Sequence, residues 1–240
     1  MSLRLATTIE GESGMKGQAR RRAMSLVVLA VLLVSAAIVA EAAAKKVNLQ
    51  VHGKVRYEGS KGRTIVEGGL TIRYDDTVIT ATNAVIDNAA ETAKLTGGVL
   101  LTQKDVVLNA DEMDVDLKND TAVVKGNVRL EKREEQAEKD ESGKAKVSVV
   151  KMTCNILEIS TKTQDFIAQG SVLMTKDKQK AQAQKANYDN AGKTLTLQGS
   201  VAIEDEGNKT IKCDRAILYT DKELVEAEGK PVEITFEIEE

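Results

Sequence analysis

Tryptophan is absent from the 240-residue chain, aromatics make up only 2%, and there is one proline, one histidine and a single pair of cysteines. The shortage of rings argues against a sugar-binding face, which is usually built on Trp or Tyr. A lone histidine, His52, has no histidine partner for a metal site or a proton relay, so it is read as structural. There is also no excess of positive charge: 34 Lys and Arg face 37 Asp and Glu, a net charge of −3. Nucleic-acid binding rests on clustered cations and is excluded on that ground. None of the phosphate-loop, dinucleotide, H-E-x-x-H or G-x-S-x-G patterns occurs, and no nucleophile and base stand in a recognisable pairing, so no enzyme, cofactor or metal is expected.

What the chain does have begins with a leader. Arg20, Arg21 and Arg22 precede an uncharged stretch from Ala23 to Ala40, and Ala42 to Ala44 follow before Lys45. A positive region, an apolar region and a small-residue exit make a secretory signal over residues 1–44, with retention as a membrane anchor left open by the length of the apolar run. Export places the remainder, residues 45–240, outside the cytoplasm, either free or tethered to the membrane it crossed. That remainder carries 29 basic against 34 acidic residues and is long enough for one all-β domain.

The remainder repeats. A glycine precedes an alternating apolar strand in VEGGLTI, LTGGVLL, VKGNVRL, AQGSVLM, LQGSVAI and AEGKPVEI, placing Gly68, Gly97, Gly126, Gly170, Gly199 and Gly229 at intervals of 29, 29, 44, 29 and 30. The long interval holds a charged insertion at about 131–146, read as a solvated loop. Sixteen residues before each glycine stands a mostly small residue: His52, Ala81, Ala110, Cys154, Ala183 or Cys213. Apolar positions two before and at that residue share one parity, whereas those three and five after it share the other. Such a slip marks a bulge or corner in a strand, and corners in register fold stacked hairpins into two facing sheets with a trough between them. Polar runs such as DNAAET and DNAGKT supply the turns, and Asp87, Asp116 and Asp189 at the turn entries are expected to cap turn amides rather than bind calcium. Cys154 and Cys213 fill the small slot and are read as buried filler, with a bridge between them left undecided.

The pattern resembles the OstA-like, LptA-type family of periplasmic lipopolysaccharide-transport proteins over about residues 47–240. NADEMDVD with AVVKGNVRL, from Asn109 to Leu130, and KAQAQKANYD with LTLQGSVAI carry the likeness. The resemblance implies a twisted β-jellyroll of V-shaped, stacked antiparallel sheets built from about six two-strand repeats. It also implies a non-enzymatic role as one segment of a bridge that carries lipopolysaccharide, or a related glycolipid, across the periplasm to serve outer-membrane biogenesis. Partners would be further copies or other jellyroll transport proteins, joined head to tail through terminal edge strands such as VEITFEIEE. The residues expected to line the lipid groove are Ile79, Ile86, Leu108, Met113, Val115, Met152, Ile159, Tyr188, Leu197 and Ile211. Two alternatives stay open at this point: an inner-membrane-anchored, LptC-like member of the same system, and an extracytoplasmic β-solenoid serving as scaffold or adhesin.

Overall fold

The computed structural model describes residues 48–60, 62–74, 76–139, 145–206, 209–222 and 224–236. The expected leader, residues 1–44, lies outside them. No helix among the described residues is long and apolar enough to cross a membrane. The chain forms sixteen strands: β1 (Asn48–Val51), β2 (Lys54–Tyr57), β3 (Arg63–Glu67), β4 (Leu70–Tyr74), β5 (Thr77–Ala81), β6 (Asn83–Asp87), β7 (Thr92–Gln103), β8 (Val106–Asp116), β9 (Thr121–Lys139), β10 (Ala145–Ser160), β11 (Phe166–Lys176), β12 (Gln179–Asp189), β13 (Thr194–Glu204), β14 (Thr210–Tyr219), β15 (Leu224–Glu228) and β16 (Glu233–Thr235).

All sixteen belong to one antiparallel sheet, which is bent along a line of corners into two walls. The register shifts mark that line, falling between Thr96 and Val99 in β7, Asn109 and Glu112 in β8, Thr153 and Ile156 in β10, Gln182 and Lys185 in β12, and Gln198 and Val201 in β13. Each long strand therefore crosses both walls. Wall A runs from β2, β3 and β6 through one half of β7 to β14 and ends at β15; wall B runs from β1, β4 and β5 through the other halves and ends at β16. Every pairing is antiparallel between successive hairpins, so the chain does not coil as a parallel β-helix.

The constant offset of sixteen has a structural cause. It measures one wall A hairpin from corner to corner, so the residue after each small slot meets the next glycine across the bend. At the corner of β9, Gly126 has φ +75° and Asn127 follows at +47°. A Cβ on Gly126 would collide with the side chain of Asp111, and Asn127 Nδ2 donates to Asp111 Oδ2 at 2.9 Å. Left-handed φ and lack of room together require glycine there. The wall B hairpins are free to vary, and the insertion lengthens one of them.

The described residues of the charged stretch are strand rather than the loop expected from its composition. β9 continues to Lys139 and β10 begins at Ala145, with Val147 opposite Glu135 and Val149 opposite Arg133. Val106 of β8 pairs with Lys132 and Lys176 of β11 with Val150, so beyond those residues the two strands extend past their neighbours as an arm. Without an apolar face the segment shows no strand period, and the two strands supply each other's backbone partners instead.

A trough lined by apolar ladders

Pairing across strands turns the alternation of each module into continuous ladders on the face that looks into the fold. In wall A, the ladder beside the corner reads Val66, Ala84, Leu95, Met113, Val124, Leu157, Ala168, Ala186, Leu197 and Ala216. The ladder one step nearer the turns reads Thr64, Ile86, Ala93, Val115, Ala122, Ile159, Phe166, Tyr188, Leu195 and Leu218. In wall B, the matching ladder is Ile72, Ile79, Leu101, Leu108, Leu130, Met152, Met174, Ala181, Ile203 and Ile211.

All ten residues expected to line the groove fall on these three ladders. Leu108, Met113, Met152, Ile159, Tyr188 and Leu197 are buried, and Ile79, Ile86, Val115 and Ile211 are half-buried. The buried ladder members of both walls, Ala122 excepted, form one hydrophobic cluster, with Ile79, Val115 and Ile211 packed against it and Ile86 outside it. Nine of the ten flank a small slot, two residues before it or three or five after it, and Leu197 stands on a glycine strand. The other inward residues of the glycine strands were not anticipated, although Leu95, Leu130, Phe166, Met174, Leu195 and Ile203 belong to the same interior. The signal was present in the alternation after each glycine.

The interior is not uniform along the array. On the turn-side ladder of wall A, Thr64, Ile86, Ala93 and Val115 are half-buried, whereas Phe166, Tyr188, Leu195 and Leu218 are at most 2% exposed. Side-chain size accounts for this: Thr64 and Ala93 leave room that Phe166 and Tyr188, stacked with ring centroids 5.5 Å apart, fill. Wall B carries one further ladder at its rim, where Val106, Lys132, Val150, Lys176 and Gln179 follow one another. Here Glu134 lies between two ammonium groups, with Oε1 at 3.1 Å from Lys132 Nζ and Oε2 at 3.3 Å from Lys176 Nζ. Ser148 donates to Asp177 Oδ2 at 2.8 Å, and Val150 beside it has no exposed surface.

The remaining polar features are structural. Asp87 Oδ1 accepts from the amides of Ala89 and Ala90, Asp116 Oδ1 from Asn119 and Asp189 Oδ1 from Gly192, so each closes its own turn. The Ala90 amide foremost holds the Asp87 carboxyl below its usual range, and the Asn119 side chain does the same for Asp116. His52 Nε2 lies 3.3 Å from Thr71 Oγ1. Cys154 and Cys213 are free and buried. They stand on β10 and β14, four strand spacings or roughly 19 Å apart, well beyond the ~7 Å reach of a disulfide. Burial pushes the Cys154 thiol up to about 11. Among the described residues no group of three His, Cys, Asp or Glu is placed to hold a metal ion. An open depression of about 570 Å³ over β6 to β9 is lined by Arg63, Asp87, Lys94, Asp114 and their neighbours, but those charges pair with one another, Arg63 with Asp87 and Lys94 with Asp114.

Among the described residues the arrangement thus offers two features: a long, mainly aliphatic interior, and sheet edges at both ends that no further strand covers. β2 is exposed along its whole length, including Val55 and Tyr57, which extend the inward ladders of Val66 and Thr64 to the edge, and at the other end Ile234 and Phe236 are each 58% exposed.

No curated protein matches the sequence. Among solved structures, one match is to the crystal structure of LptH, the LptA-homologous periplasmic component of the conserved lipopolysaccharide transport device from Pseudomonas aeruginosa. It is 12% identical, covers 68% of this chain and 95% of that one, and has a TM-score of 0.33. The family model for the LptA/(LptD N-terminal domain) LPS transport protein matches residues 78–224, which hold most of the two walls. The chain is a member of that family of lipopolysaccharide-transport proteins.

Proposed function

We propose that the protein is a non-enzymatic carrier that shelters the acyl chains of lipopolysaccharide between its two walls and acts as one segment of a bridge across the periplasm. The observation that carries the reading is the set of three aliphatic ladders running along the whole array inside a chain of this family. A methylene moved into water costs ~0.8 kcal/mol, so an acyl chain of about a dozen carbons resists release by on the order of 10 kcal/mol. Walls of Ile, Val, Leu and Met give it surroundings like those it left, while the sugar head stays in solvent. Transfer between like segments is then nearly neutral, and direction has to be supplied by other components.

The bare edges fit the same role. Among the described residues β1 and β2 at one end, and β15 and β16 at the other, have an edge with no strand beside it, which another strand can complete. Head-to-tail joining through them, to further copies or to other jellyroll proteins of the pathway, would make the interior continuous. The leader of residues 1–44 directs the chain to the periplasm in this reading. Organic extraction of the purified protein followed by mass spectrometry is expected to release lipid acyl chains; a protein that comes out dry after purification from lipopolysaccharide-producing cells contradicts the proposal.

A further inference from the structure

Building on that reading, we infer that acyl chains lodge only in the part of the interior between β3 and β8, and that the rung of Phe166 and Tyr188 is a stop that must part before a chain passes further. Three observations converge. On the turn-side ladder the first part is lined by Thr64, Ile86, Ala93 and Val115, all partly open to solvent, and Ile86 lies outside the core cluster. From Phe166 onward the same ladder is sealed by two stacked rings and two leucines. At the entrance to that part, over β9 to β11, the rim of wall B is closed by a polar set, in which Glu134 joins Lys132 to Lys176 and Ser148 is tied to Asp177.

Hydrocarbon slides into the first part by covering apolar surface that water already touches, which is favourable from the outset. To enter the second part it has to separate side chains that already bury one another, and to break a charge-paired rim with nothing to replace its bonds. The closed part is therefore the resting state of a passage, and parting it is the step that would govern transfer towards β16.

The natural absence of tryptophan makes the test direct. Single-tryptophan variants of the full chain, Ile86→Trp and Val115→Trp for the first part and Phe166→Trp and Leu218→Trp for the second, are titrated with dibromostearate, with stearate as the control. Bromine quenches only a ring it touches closely. Quenching at positions 86 and 115 is expected to exceed that at 166 and 218 several-fold. Ala93→Phe, which fills the open part, is expected to abolish it at 86, whereas Val85→Phe on the outer face leaves it unchanged. Adding Glu134→Gln, which loosens the rim without cutting into the core, is expected to raise quenching at 218; Tyr188→Ala should raise it further in any preparation whose circular dichroism remains that of a folded sheet. Equal quenching in both parts, stronger quenching in the second, or no response to Ala93→Phe overturns the stop and leaves lipid binding standing. No quenching at any of the four positions in folded variants overturns the stop and the carrier reading together.

Discussion

The modules at the two ends of the array follow the same sequence rule and yet build different interiors. TAKLTGGVLL of β7 and TLTLQGSVAI of β13 place their residues at the same ladder levels, but Ala93 of the first is partly open while Leu195 of the second is sealed. The rule sets which face a residue looks to. What it meets there is set by the size of its neighbours, and Phe166 and Tyr188 make one part of the array a solid core while Thr64 and Ala93 leave the other accessible.

The largest expected effect that can break this comparison is on stability. Truncating the sealed part, as in Phe166→Ala, is expected to cost about 3–5 kcal/mol by urea denaturation, because the cavity cannot collapse between two packed walls. Val115→Ala, at the half-buried level of the open part, is expected to cost on the order of 1 kcal/mol. Similar losses at both sites would mean the two parts are equally packed.

Next in size are the corners. Gly126→Ala and Gly98→Ala both place a Cβ at positive φ, +75° and +84°, but only at Gly126 does it run into a neighbour, Asp111, whereas Gly98 faces open space. The first is expected to lower the melting temperature clearly more than the second, whose cost stays near the ~1 kcal/mol of the backbone strain alone.

A smaller effect, read in rate, concerns the thiols. With its pKa pushed up to about 11, Cys154 has only about a thousandth of its thiol ionised at pH 8, against roughly a quarter for a free thiol of pKa ~8.5. Native protein is expected to resist a thiol reagent and to label at both cysteines in urea, and non-reducing gels should show no internal crosslink. Prompt native labelling of Cys154 would show that the buried corner of β10 opens to solvent.

The smallest effect is on pH dependence. The folded chain depresses the carboxyls of Asp87 and Asp116, so their stabilising contribution is complete above the unfolded carboxylate pKa of ~3.9 and disappears as pH falls through the lower folded value. The stability gap between the protein and Asp116→Ala is therefore expected to be constant from neutral pH to about pH 5 and to narrow below pH 4 in denaturation curves. A gap that widens in acid would contradict the turn-capping role.

Much of the architecture is written locally. The corner glycines, the slip in parity beside Ala110 and Cys213 and the turn-capping aspartates each reflect a backbone requirement that acts within a few residues, and the structure places corners and turns where these stand. The ten expected groove residues face inward because alternation is also local. Whether a ladder position is open or sealed depends on side chains from other strands and the opposite wall, and no single strand contains that information. The arm of β9 and β10 was hidden for a related reason: its charged alternation buries no apolar face, so only its pairing to itself reveals it as strand.

The central claim is that the interior holds hydrocarbon. A photoreactive residue at Val115 in cells tests it most directly, with one on the outer face at Val85 as the control. The account expects a glycolipid adduct at 115 and none at 85; adducts at both, or at neither while the protein is exported and folded, would contradict it.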